Sequence, residues 1–326
     1  MERIKRYLRS AAGYQAVCAK WLVLAALVGC VVGPLGGAFG LALNWANATR
    51  GAHPWLLYLL PVAGLVIVFL YHRFDPDGGG STNQIFVSVR EHKPLTLRTA
   101  PLIFVSTVAT HLFGGSSGRE GAALLLGGSV SGQLGRALRL ENRDCRLMTM
   151  CGMAAGFAAL FGTPLAATLF GIMVEDVGLA FSVAFVPGFA AALIAYGVSL
   201  ACGIAPTHFG LTAPALSIDT ALLAAVLGAA CALVSRGFCW LLHTMEHEMP
   251  RRLPNPWVRA VVGGAAVVAL SYLMGVGRYN GAGMGVITAA IEQGQALPWD
   301  FLCKMLLTAL TLSAGFKGGE VVPSFY

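Results

Sequence analysis

Long apolar stretches, broken by short polar or glycine-rich segments, set the pattern of this chain. Predominantly apolar runs fill 21–45, 54–71, 182–202, 220–242 and 257–274. Runs of about 17–25 apolar residues are what a helix needs to cross a bilayer. The pattern predicts helices over 20–45 and 54–72, then a Gly/Asp-rich break at 74–82 and a short helix ending near Val89. Further helices are expected over 95–113, 119–138, 143–161, 164–176, 178–202, 219–244, 257–275, 284–293 and 299–314. An uncharged loop over 203–218, with Pro206, Gly210 and Pro214, separates two of the long spans. The predicted fold class is an all-α polytopic membrane protein.

Composition excludes the soluble alternative. The chain is 56% hydrophobic and 11% charged, with a mean hydropathy of +0.71. Soluble domains carry roughly 25% charged residues. The net charge of +7 is not a nucleic-acid signal, because the basic residues sit in short loops rather than on one face. Arg3, Lys5, Arg6, Arg9 and Lys20 precede the first span, Arg136, Arg139, Arg143 and Arg146 form a second cluster, and Arg251, Arg252 and Arg259 a third. The loops at 46–53 and 203–219 are nearly free of Lys and Arg. By the positive-inside rule the three basic clusters face the cytoplasm, so 1–19 is expected to be a cytoplasmic N-terminal segment. It runs into a long span without a small-residue cleavage site, which reads as a retained anchor. The eight cysteines form no CxxC or Cys/His cluster, so they read as small hydrophobes; neither a metal nor another cofactor is expected.

An internal repeat adds a topology. Setting 110–120 beside 310–320 at an offset of 200 aligns Leu112, Gly115, Gly118 and Glu120 with Leu312, Gly315, Gly318 and Glu320. Upstream, Tyr71 and DPDGGGSTN match Tyr272 and GRYNGAGMG at an offset of 201. The first copy, 20–218, starts from the cytoplasm. The second, 219–326, starts after the loop poor in Lys and Arg, so the copies are expected to be inverted in the membrane. Transporters of this construction hold their ion near the midplane, at the ends of broken helices.

The chemistry concentrates in GGSSGREGA, 114–122. Its glycines allow close backbone approach, and the helix that follows starts with unpaired N–H groups and the positive end of its dipole. That is a site for an anion. Irregular backbone at membrane depth survives only where it is buried or lines a cavity. Glu120 stands at this helix start. Ionised, its carboxylate can occupy the anion's own place; protonated, it leaves that place free. The plainer alternative is a capping carboxylate paired with Arg119, but a charge inside the bilayer costs roughly 2.5–3.5 kcal/mol and is functional by default. Glu320, after Gly318 and Gly319, repeats the arrangement; its alternative is a charge partner for Lys317. Ser81, Thr82 and Asn83, after Gly78–Gly80, offer further donors, or an ordinary helix cap. Ser116 and Ser117 near His111 lack an acid partner at readable spacing, so no enzyme is expected.

GREG before an apolar helix, followed by AAGFAALFGTPLAATLFGI at 154–172, resembles the CLC family of chloride channels and anion/proton antiporters. The final GFKGGEVVP resembles its fluoride–proton antiporter branch, and the likeness runs from about Lys20 to Tyr326. The resemblance implies a CLC-type inverted-repeat helical bundle in a prokaryotic inner membrane, forming a homodimer. It implies that Glu120 is the gating and proton-carrying glutamate, with Gly118, Arg119 and Gly121 beside it. It also implies that Gly319, Glu320 and Val321 belong to an anion-binding motif whose second residue is isoleucine in chloride transporters, and that Ser81 and Asn83 belong to another. Ala122 stands where chloride members commonly carry proline. The inner proton-transfer glutamate of chloride exchangers aligns near Val174, so that relay is expected to be absent or moved to Glu175. Family members continue with four more helices, so the second repeat is expected to be incomplete and Tyr326 a truncated end. The function implied is fluoride efflux coupled to proton influx; a chloride channel or chloride–proton antiporter, and a truncated membrane protein that transports nothing, are the alternatives.

Overall fold

The structure is a computed structural model that describes residues 2–75, 96–173, 179–205, 209–210, 215 and 217–326. Among the described residues eleven helices follow one another: α1 (Glu2–Ala52), α2 (Leu60–Phe74), α3 (Thr99–Leu112), α4 (Glu120–Ala137), α5 (Asn142–Phe161), α6 (Pro164–Met173), α7 (Leu179–Ala201), α8 (Ile218–Arg252), α9 (Pro256–Met274), α10 (Met284–Gln293) and α11 (Asp300–Ser313). Among the described residues six stretches are long and apolar enough to cross a membrane: Gln15–Ala52, Pro54–Phe74, Asn142–Phe161, Ala184–Ala201, Ile218–Arg252 and Pro256–Met274. The short helix expected to end near Val89 lies outside the described residues.

Helix ends follow local chemistry. α1 runs past the expected 45 because nothing in NATRGA stops it; it ends where His53 precedes Pro54 and leaves the helical region (φ −129°, ψ 73°). α8 likewise continues to Arg252, helped by Glu248 pairing with Arg251 at 3.2 Å and Arg252 at 3.3 Å, and ends at Leu253 before Pro254. Ser217 Oγ accepts from Thr220 N–H at the start of α8, and Asn255 Oδ1 from Trp257 N–H at the start of α9. Pro34 and Pro187 lie inside α1 and α7 without ending them, as membrane helices allow.

Two compact units make up the chain, and they are a different division from the repeats. One takes 1–41, 81–101 and 123–207; the other takes 42–80, 102–122 and 208–326. The first is held by small residues. Leu24, Val28 and Val32 of α1 pack with Met148, Cys151, Ala155 and Ala159 of α5 and Ala191 and Ala195 of α7. Helices come so close that a Cβ on Gly127 would lie 2.0 Å from the Gly152 carbonyl oxygen, the small-residue contact by which membrane helices pack. The second unit is built around Leu60, Ile67 and Tyr71 of α2, Val267 of α9, Leu307 and Leu310 of α11, Tyr279 and Phe316. The Phe316 ring lies 2.9 Å from where Gly64 would carry a Cβ and 3.2 Å from that of Gly264. Those two glycines admit the ring, and the ring fixes the chain that leads to Glu320.

Candidate functional site

The described site residues Gly118, Arg119, Glu120, Gly121, Gly319, Glu320 and Val321 all lie in the second unit. α3 and α11 have fourteen residues each and start 201 positions apart. Each ends at a glycine in the left-handed region, Gly114 (φ 81°) after α3 and Gly315 (φ 102°) after α11, which lets the chain turn back on itself. The loops that follow cross and pair. Gly118 N–H donates to Gly319 O at 2.5 Å, and Gly319 N–H donates to Gly118 O at 2.9 Å, forming an antiparallel bridge. Each loop is also tied to the opposite helix: Ser116 N–H donates to Thr311 Oγ1 at 3.1 Å, and Lys317 N–H to Thr110 Oγ1 at 3.3 Å. The two threonines donate in turn to their own helices, Thr110 to Ser106 O and Thr311 to Leu307 O. The equivalent residues of the two arrangements stand 201 positions apart: Gly118 and Gly319, Ser116 and Lys317, Thr110 and Thr311, Ser106 and Leu307. This corrects the offset of 200 expected for the stretch: Glu120 corresponds to Val321, and Arg119 to Glu320.

Glu120 opens α4 and is 1% exposed. Its Oε2 accepts the Arg119 N–H at 3.0 Å, while Oε1 has no hydrogen-bond partner among the described residues. The pairing with Arg119 considered from sequence therefore includes that residue's backbone and leaves half the carboxylate unused. Gly118, Gly121 and Gly319 stand around it: a Cβ on Gly319 would come 2.8 Å from Glu120 Oε2 and 2.9 Å from Gly121 N, and one on Gly118 would meet the same Oε2. The buried Ser117 Oγ is a second unpartnered polar atom on this loop, facing Gly318.

Glu320 is half-buried, one residue beyond the bridge, and Glu246, Glu120 and His243 are the charged neighbours that act on it. Val321 follows it and leads into a short 3₁₀ turn, Val322–Phe325. Lys317, offered from sequence as a partner for Glu320, carries its ammonium 4.6 Å from the centre of the Tyr71 ring. Ser81, Asn83, Val174 and Glu175 lie outside the described residues. The structure therefore brings Gly118, Arg119, Glu120, Gly121, Gly319, Glu320 and Val321 together from two distant parts of the chain.

Sequence reasoning passed over the other half of the site. The turn 275–283 pairs with the first loop: Ser117 N–H donates to Gly281 O at 3.2 Å, Gly281 N–H to Gly115 O at 2.9 Å, and Asn280 Nδ2 to Gly114 O at 2.6 Å. Arg278 binds Asp300 through two nitrogens at 3.0 and 2.7 Å, and Tyr279 Oη donates to the same carboxylate at 2.5 Å. That anchors the turn to the start of α11. Lys304 of α11 is fully buried against the turn. Its signal was legible: one lysine inside the apolar run FLCKMLLTALTL. Beside the turn is a cavity of about 860 Å³ whose polar lining includes Asn44, Asn47, Arg50, Arg119, Arg278 and Asn280. Arg50 reaches inward from the end of α1 and donates to His111 O at 2.8 Å. Such a cationic and amide lining suits an anion.

The family model for voltage gated chloride channels matches residues 63–326. The chain belongs to the voltage-gated chloride channel family. Within that family it is 36% identical over 317 residues to a chloride/fluoride channel protein of Pseudomonas syringae pv. tomato, covering 94% of this chain and 70% of that protein. It is 27% identical to the H(+)/Cl(−) exchange transporter ClcA of Salmonella arizonae, over 93% of this chain and 68% of that one. The crystal structure of a CLC-type fluoride/proton antiporter matches with a TM-score of 0.89 at 36% identity, covering 94% of this chain and 78% of the other. The fold is thus the inverted-repeat helical bundle of CLC proteins, as expected from the resemblance.

Proposed function

We propose that this protein moves fluoride out across a membrane in exchange for protons. The observation that carries the reading is the Glu120 carboxyl: buried, half unpartnered, and held where two glycine loops bridge. A carboxylate so placed competes with an anion for the same backbone donors, and its protonation frees them. Glu320 is the second carboxyl of the path, one residue past the bridge. Fluoride is a small, strong hydrogen-bond acceptor, so a protonated carboxyl beside its route favours it over larger halides. Gly118 and Gly319, their N–H groups engaged in the bridge, shape the anion's place, and Arg119, Gly121 and Val321 line it through their backbone, with Ser81 and Asn83 contributing from the first repeat. The likeness to the fluoride/proton antiporter and to the chloride/fluoride channel protein supports this choice. The protein is read as a homodimer of a prokaryotic inner membrane, with 1–19 in the cytoplasm, followed by inverted repeats 20–218 and 219–326.

Purified protein in liposomes tests the reading by fluoride efflux. Wild type is expected to pass fluoride well above chloride and to acidify the lumen as fluoride leaves. Glu120→Gln is expected to abolish the coupled proton movement, and Glu320→Ile to reduce fluoride selectivity at least tenfold. Equal chloride and fluoride flux in the wild type favours the chloride exchanger and sinks the fluoride reading.

A further inference from the structure

Lys304 has a part in this site that the reading above does not use. Its ammonium is wholly buried and donates three hydrogen bonds, to Ser116 Oγ at 3.0 Å, Tyr279 O at 3.0 Å and Gly281 O at 2.5 Å. All three acceptors are neutral, and no carboxylate lies within 4.0 Å of it among the described residues. Burying an ammonium without an ion pair is costly, so the charge is held for something other than a local salt bridge. Ser116 Oγ passes the contact on, donating to Tyr279 O at 2.9 Å and lying 3.1 Å from Thr308 Oγ1. Tyr279 and Gly281 belong to the turn that Arg278, Tyr279 and Asp300 fasten to α11. One cation therefore joins α11, the 275–283 turn and the loop that carries Glu120. The charged and titratable groups around it are Arg50 from the end of α1, His111 from α3, Glu120 from α4 and the Tyr326 ring 5.5 Å away.

We propose that Lys304 is the positioning residue of the Glu120 loop: through Ser116 it fixes the 114–118 backbone, and its unpaired charge raises the affinity of that loop for an anion. The second clause rests on the transport reading; the first does not.

Two measurements on the full chain test it. The first is amide hydrogen exchange over 114–118 in wild type, Lys304→Gln, Lys304→Arg and Ser116→Ala, with thermal melting recorded alongside. Lys304→Gln is expected to exchange at least tenfold faster there, Ser116→Ala about threefold faster, and Lys304→Arg close to wild type. Unchanged exchange in both Lys304→Gln and Ser116→Ala would overturn the positioning role. If Lys304→Gln does not fold, Ser116→Ala, which keeps the lysine, decides alone. The second measurement is the fluoride concentration at half-maximal flux. Removing one unit charge about 10 Å away, at an effective dielectric constant of about 20, is worth on the order of tenfold in affinity. Lys304→Gln should therefore raise the half-saturating fluoride concentration about tenfold with the maximal rate within threefold of wild type, and Lys304→Arg should restore it. A fall in maximal rate at unchanged half-saturation would mean a structural role only and defeat the charge. Absence of fluoride flux in the wild type would defeat the transport reading, while the exchange experiment still decides the positioning role.

Discussion

A single missing Cβ decides whether the Glu120 carboxyl fits. Gly319 lies so close that a methyl group there would press on Oε2 of Glu120 and the amide of Gly121, at 2.8 and 2.9 Å. Contacts under 3.0 Å force something to shift, and here two of the three nearest atoms are backbone. Gly319→Ala should therefore cut fluoride flux at least tenfold while the protein still folds, which flux beside a thermal melt would check; retained flux would mean the loops do not clasp Glu120 as tightly as the distances say. At this scale the sequence was informative where chemistry is unusual. Glu120 and Glu320 stand out because a charge at membrane depth is expensive. Lys304 carries the same mark and was missed, because it sits mid-helix rather than beside a glycine motif. Tyr279, Asn280 and Gly281 were legible as part of a repeated turn but not as part of the site: they act through backbone carbonyls, an amide and a turn, which have no residue-type signature.

At the scale of elements, α3 and α11 behave as one paired device. Each lends a threonine hydroxyl to the loop leaving the other, and each threonine also donates to its own helix. The hydroxyl is the sole side-chain atom that could do both. Replacing either Thr110 or Thr311 by Val leaves one buried loop N–H unsatisfied. Each change should cost about 1–3 kcal/mol of stability, and the two costs should be alike because the environments are related by one offset. Melting temperatures of the two single variants test this; a large effect from one and none from the other would show that the pairing is not symmetric in energy. Apolar pattern foretold the helices, but not their ends. α1 and α8 run further than periodicity suggested, since what stops them is a residue before proline rather than a loss of hydrophobicity. The offset of 200 came from glycine matches, which are easily shifted by one; only the hydrogen bonds fix it at 201.

For the whole molecule, the basic loops make a statement about the membrane. Proton influx and fluoride efflux run in opposite directions, so the sides are not interchangeable. The clusters at 3–20, 136–146 and 251–259 are all assigned to the cytoplasmic side. A membrane-impermeant thiol reagent should therefore modify a cysteine introduced in place of Arg252, in a variant lacking the native cysteines, from the cytoplasmic side of native membranes. Arg252 is exposed at the end of α8. Modification from the outside would reverse the assigned topology. The division into two compact units was not visible in the sequence. Both units draw on the first repeat in separated pieces, and such interleaving follows from contacts between distant segments that a linear pattern does not carry.

The register of the bridge has a bearing on descent. A chain of two like halves invites the idea that Glu120 and Glu320 are twin copies of one ancestral acid, duplicated with the rest. The hydrogen bonds make Glu120 the counterpart of Val321 and Glu320 the counterpart of Arg119. The two acids are therefore not duplicates of each other: they hold non-equivalent positions, one step apart on matching loops.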